Sequence, residues 1–175
     1  MYIFAFASFP CRYVNDLAAN VKASPARWKI VFAHHPLYTA GLHHGTLARC
    51  LRQQMYSYGC GPRVEAPGYG LEDVLVDSGA HAYFAGHEHV FQWHKARGVA
   101  SFVAGASGGS DCGYYGGLDP RGDRPAWTDP ASRHGFLAAC VTAGMLTVHV
   151  VAADGEVLQV VRHAQESTDG PERPP

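Results

Sequence analysis

One pattern constrains this chain more than any other: an apolar run that stops dead at histidine, and it occurs twice. Trp28-Lys29-Ile30-Val31-Phe32-Ala33 carries β-branched and aromatic residues and halts at His34-His35-Pro36. Residues 81–85 run the same way into Gly86-His87-Glu88-His89. Such short apolar runs read as buried strands. Between them, Leu47, Leu51, Met55 and Tyr58 fall at helical spacing over 46–58, and Leu71, Val74 and Leu75 mark a second helix ending at Gly79. Helical segments between two strands fit a crossover, so the strands are expected side by side in a parallel sheet. Both would then deliver imidazoles to one edge, at the carboxyl ends where α/β sheets place their chemistry. On an extended backbone His87 and His89 share a face, and on a turn they reach two neighbouring points. Either geometry suits metal ligation, for which neutral imidazole is a common ligand. Solvated loop histidines are the plain alternative. Of eleven histidines, however, eight lie between His34 and His94, which points to a site rather than scatter.

The remaining chain alternates in type. A strand is expected over 1–9, broken by Pro10, and a helix over 13–23, where Val14, Leu17, Ala18 and Val21 share a face. Residues 90–95 and 99–104 read as strands separated by Arg97-Gly98. The stretch 105–134, rich in glycine with three prolines, is too long for a simple connection and is expected to be functional or disordered. Residues 135–142, 146–152 and 157–163 alternate like antiparallel strands, the last two joined through Asp154-Gly155, a strong hairpin signal. The polar segment 164–175 reads as a disordered tail.

Composition removes several classes. At 175 residues the chain is one domain by length, large enough for a real core. A net charge of -1 offers no basic surface for a phosphate backbone, so no nucleic-acid partner is expected. No apolar run approaches the roughly 20 residues of a membrane span, so no membrane partner is expected. The apolar opening Met1-Tyr2-Ile3-Phe4 lacks a basic leader and makes a poor signal peptide, leaving the compartment undetermined. Cys11, Cys50, Cys60, Cys112 and Cys140 show no Cys-x-x-Cys spacing, which weakens zinc-finger and thioredoxin-type readings.

Val31-Phe32-Ala33-His34-His35-Pro36-Leu37-Tyr38, followed by Gly86-His87-Glu88-His89, resembles the last two motifs of calcineurin-like metallophosphoesterases. The purple and tartrate-resistant acid phosphatases are the more similar branch. The resemblance runs through 70–79, 102–107 and 146–161 and spans residues 22–163. It implies an α/β fold, a β-sandwich flanked by helices of the αββα type, present here as its C-terminal half. Residues 1–163 would form a partial catalytic domain, with 164–175 as the tail. The implied activity is acid-phosphatase-like hydrolysis of phosphomonoesters, with a phosphate ester as the partner. The implied cofactor is a pair of divalent or trivalent metal ions, iron with zinc, manganese or a second iron. Carried over by position, His34 and His87 would hold one ion and His89 the other. Two such ions polarise a phosphoryl oxygen and make hydroxide available at mild pH. His43, nine residues past His34, or His44, which precedes Gly45, would hold the phosphate or protonate the leaving alkoxide. His35 would be a wall residue.

The family's earlier motifs, which supply a bridging aspartate and an asparagine ligand, find no counterpart. The two asparagines, Asn15 and Asn20, precede no histidine. Asp111-Cys112-Gly113 matches Asp-x-Gly by letters but follows the histidine motifs, and Gly122-Asp123 has Ala126 where a tyrosine is needed. Three neutral imidazoles alone do not hold two cations close together, since nothing anionic offsets their repulsion. The chain therefore reads as half of a phosphoesterase site, with its carboxylates expected from another segment or chain. One alternative is a non-catalytic fragment or pseudoenzyme with at most one weak metal site. Another is a lone zinc hydrolase using His34, His87, His89 and water. Half a sandwich also leaves an exposed apolar sheet edge, so self-association is expected.

Overall fold

The two apolar runs are adjacent parallel strands. The structure is a computed structural model and describes residues 2–6, 11–41, 70–108 and 125–165. In chain order it contains β1 (Tyr2–Phe6), α1 (Cys11–Ala23), β2 (Lys29–Ala33), α2 (Leu71–Ser78), β3 (Ala82–Ala85), β4 (Phe91–Ala96), β5 (Val99–Ala104), β6 (Trp127–Thr128), β7 (Gly135–Val141), β8 (Met145–Ala152) and β9 (Val157–Ala164). The helix expected over 46–58 lies outside the described residues. So does most of the irregular stretch, although 127–128 forms β6, which the sequence does not announce.

One sheet has the order β1-β2-β3-β5-β4-β6, and a second has the order β7-β8-β9. Strands β1, β2, β3 and β5 run parallel; β4 pairs antiparallel with β5, and β6 antiparallel with β4. Phe32, Phe84, Phe102 and Trp93 lie in register across β2, β3, β5 and β4. Their rings stack at 5.0, 4.7 and 6.5 Å between centroids.

Alternation along the strands divides the core. Val31, Tyr83 and Val99 face the helices, meeting Leu17 and Val21 of α1 and Leu71, Val74 and Leu75 of α2. Trp28, Ile30, Ala82, Phe84, Ala100 and Phe102 face the second sheet, meeting Leu146, Val148 and Val161. The result is a β-sandwich with helices on the outer face of the larger sheet, the class expected from sequence. The Trp28 indole N–H donates to the Thr142 carbonyl at 2.7 Å, tying the two sheets at their border. Helix α1 stops where Pro25 disfavours helical backbone at the residue before it. Helix α2 stops at Gly79, whose φ of 77° is the left-handed conformation a helix stop requires. Strand β9 runs to Ala164, and Gln165 bonds Arg27.

Candidate metal centre

The site forms where β2 and β3 end. The Gly86 N–H donates to the His34 carbonyl at 3.0 Å, extending the parallel pairing to the last residue before the histidines. One residue on, the Tyr83 hydroxyl donates to the His35 carbonyl at 2.7 Å. Tyr83 is fully buried, and burial pushes its phenol well above the usual tyrosine range, so it remains a donor. These two bonds fix a bend at His34-His35. On an extended strand neighbouring side chains point to opposite faces; at this bend they converge.

The convergence is close. His34 Nε2 and His87 Nδ1 are 3.2 Å apart, a hydrogen bond whose direction depends on the tautomer. The His35 ring lies 4.7 Å from that of His34 and 4.6 Å from that of His87. One ring nitrogen from each of the three histidines lies within 4.8 Å of the others. Burial first, then His87 and His34 close by, hold the His35 imidazole below its ordinary value, which favours the neutral, ligating form. His34 is exposed and the other two are half-buried, so solvent reaches the cluster.

His87 reaches this point from a strained backbone. Its φ of 66° is uncommon for a residue with a side chain. The turn is tight: the Glu88 N–H donates to the Gly86 carbonyl and the Val90 N–H to the Glu88 carbonyl, each at 2.8 Å. Glu88 is buried between Gly41 and Gly105. A Cβ on Gly105 would stand 2.0 Å from the Glu88 carbonyl oxygen, and one on Gly41 would stand 2.4 Å from the Glu88 carboxylate. Both glycines are therefore needed for close approach. Gln92 closes the arrangement, accepting the Ala40 N–H at 3.0 Å and so fastening the loop after β2 to β4.

The site residues expected from sequence divide three ways. His34 and His87 come together. His89 stands outside the cluster of three, and its Nδ1 is buried with no hydrogen-bond partner among the described residues. An unmet buried nitrogen costs about 1–3 kcal/mol unless a ligand or further segment satisfies it. His43 and His44 lie outside the described residues. His35, read from sequence as a wall residue, is instead part of the cluster. No aspartate, glutamate or cysteine joins the three histidines among the described residues. They fit one cation; a two-ion centre requires carboxylates from elsewhere.

Helices over a mainly parallel sheet, a second sheet beneath, and imidazoles at the ends of two adjacent strands make a helix-flanked β-sandwich with a histidine-lined sheet edge. Comparison with known proteins leads to the purple acid phosphatases. Purple acid phosphatase 7 of Arabidopsis thaliana is 28% identical over 107 residues, and purple acid phosphatase 17 of the same plant is 30% identical over 79. The matches cover 61% and 45% of this chain but only 26% and 18% of those relatives, so the chain spans about a quarter or less of their length. No protein-family model matches. Among solved structures, purple acid phosphatase PPD1 from yellow lupin superposes with a TM-score of 0.63 at 14% identity, over 93% of this chain and 30% of its own. GAP50, described as the anchor in the inner membrane complex of Plasmodium, gives 0.69 at 18% identity, over 95% and 50%. The sequence matches relate the chain to the purple acid phosphatases, and the structural likeness establishes the shared fold.

Proposed function

We propose that this chain carries the histidine side of a metal-dependent phosphoesterase site that hydrolyses phosphomonoesters. The observation supporting this most is the 3.2 Å approach of His34 and His87 from neighbouring strand ends, on a fold shared with a purple acid phosphatase. In this reading His34 and His87 bind one ion, and His89 presents its ring to a second. A bound pair of ions supplies Lewis acidity toward the phosphoryl group and lowers the pKa of a bound water. Tyr83 and the Gly86 N–H hold the loop that carries His34. His43 or His44 orients the phosphate or donates a proton to the departing alkoxide. Bridging carboxylates come from outside the described residues, and turnover depends on them.

The test is hydrolysis of p-nitrophenyl phosphate with and without chelator, for the wild type, His34→Ala and His87→Ala. Chelator-sensitive turnover lost in both variants supports the proposal. Turnover that survives both, or that ignores chelator, removes it.

A second reading rests on the all-histidine composition of the cluster. Without carboxylates the chain is a non-catalytic module with one metal site, and the fold is no obstacle, since one neighbour is described as an anchor. Metal stoichiometry separates the two: two tightly held ions per chain exclude the second reading.

A further inference from the structure

We propose that His34, His35 and His87 form a complete three-imidazole site for a single borderline divalent cation of the zinc type, with His35 as the third ligand. This differs from the two-ion reading in its ligand set, its stoichiometry and its independence of carboxylates. It rests on the one-metal reading above, which it deepens by naming the third ligand, and it competes with the two-ion reading for His34 and His87.

The geometry carries the argument. Nitrogens that share a zinc ion at about 2.0–2.1 Å stand roughly 2.9–3.4 Å apart, for octahedral to tetrahedral angles. His34 Nε2 and His87 Nδ1 already stand 3.2 Å apart. A ring nitrogen of His35 lies within 4.8 Å of one from each of the other two histidines. It needs to close by less than about 2 Å, a displacement within the range of small side-chain torsions. The backbone that makes this possible is held on both sides, at the His34 carbonyl by Gly86 and at the His35 carbonyl by Tyr83. His87 is aimed from the third direction by its left-handed backbone. Strain of that kind persists only where surrounding structure fixes it, as Gly41 and Gly105 do for this turn.

The donor chemistry selects the cation. Three neutral imidazoles suit zinc, cobalt, nickel or copper in the divalent state, whereas magnesium, calcium and manganese favour oxygen ligands. Zinc bound by three histidines keeps a further position for water, and the exposure of His34 leaves that position open to solvent. His89 has no part in this site.

The experiment titrates the metal-stripped 175-residue chain with Zn²⁺, and with Co²⁺ for its visible spectrum, and measures metal content after gel filtration. The expected result is one ion per chain. His35→Ala and the bulkier His35→Tyr should each weaken binding by more than the roughly 10–100-fold that loss of an outer-shell partner costs. His89→Ala should bind like the wild type. Circular dichroism confirms that each variant is folded. X-ray absorption at the zinc edge of the wild type counts imidazoles without any substitution, three being expected. Two imidazoles, undiminished binding in folded His35 variants, no binding by the wild type, or two ions that both require His89 would each overturn the proposal. Loss of phosphatase activity with one zinc retained would sink the phosphoesterase reading alone.

Discussion

The Tyr83 hydroxyl holds the backbone at His35, next to His34, through the His35 carbonyl rather than through a ring nitrogen. The bond to the His35 carbonyl is part-buried, and the tyrosine that makes it lies fully buried in β3. Tyr83→Phe should therefore cost about 0.5–1.5 kcal/mol in urea unfolding, the net worth of one hydrogen bond. It should also loosen zinc binding, because the bend at His34-His35 loses one of its two fastenings. His81, at the opposite end of β3, behaves differently. Burial first, then the charges of His163 and Lys29, hold its imidazole below the ordinary 6.5, outweighing a hydrogen bond at the Lys29 backbone that pushes it up. Its Nδ1 accepts the Lys29 N–H at 3.2 Å, which requires that nitrogen unprotonated. The neutral form is thus favoured in the folded chain. The stability tied to it is complete above about pH 6.5 and is lost as pH falls below that toward the folded value. Unfolding free energy measured between roughly pH 5 and 7 should slope upward with pH, and His81→Gln should flatten the slope.

Turns and strand ends decide whether the histidines meet. The Gly86–Val90 turn packs its Glu88 against two glycines from separate segments, and those glycines are not equivalent. The atom facing Gly105 is backbone, at 2.0 Å from a built Cβ, and it has nowhere to go. Gly105→Ala should cost about 3 kcal/mol or more, at or above the upper end of overpacking. The nearest atom to a Cβ on Gly41 ends a side chain, so Gly41→Ala should cost less, about 1–2 kcal/mol. Chemical denaturation of the two variants would show that order, and equal costs would contradict it. A second fastening lies below the sandwich border. Burial pushes the Asp129 carboxyl up, but the Arg133 guanidinium and the N–H groups of Arg133 and Ala131 more than offset this and hold it low. Arg133 also reaches Glu156 at 2.9 Å, tying the segment before β7 to the β8–β9 hairpin.

Among the described residues the sandwich is open on one side. A groove of about 620 Å³ runs between Trp28, Ile30, Phe32 and Phe84 on one sheet and Ala139 and Val141 on the other. Beside it, β7 pairs only with β8 among the described residues. Its run Phe136-Leu137-Ala138-Ala139-Cys140-Val141 carries no charge and no proline, and Phe136 is 53% exposed. Edge strands are ordinarily protected by charge, proline or a bulge. We expect two copies of the chain to pair through β7, seen as concentration-dependent association in sedimentation, with Ala138→Lys shifting the equilibrium toward monomer. A wild type that stays monomeric across concentrations would rule this out.

The sequence by itself determined the elements and their order of meeting. Apolar period, glycine stops and the Asp154-Gly155 turn marked most of the described strands and both described helices. The crossover argument placed β2 beside β3, as the register shows. His34 and His87 were legible because each closes an apolar strand. Tertiary structure decided what periodicity does not encode. Strand alternation sends His35 away from His34; a bend held by Tyr83 and Gly86 brings it back. The two-residue β6 is too short to carry a period, and it exists because β4 offers an edge to pair with. The roles of Gly41 and Gly105 arise only when a buried glutamate from a distant turn comes to lie against them. Local pattern fixes which backbone forms, whereas the meeting of side chains depends on bends and close approaches made between distant segments.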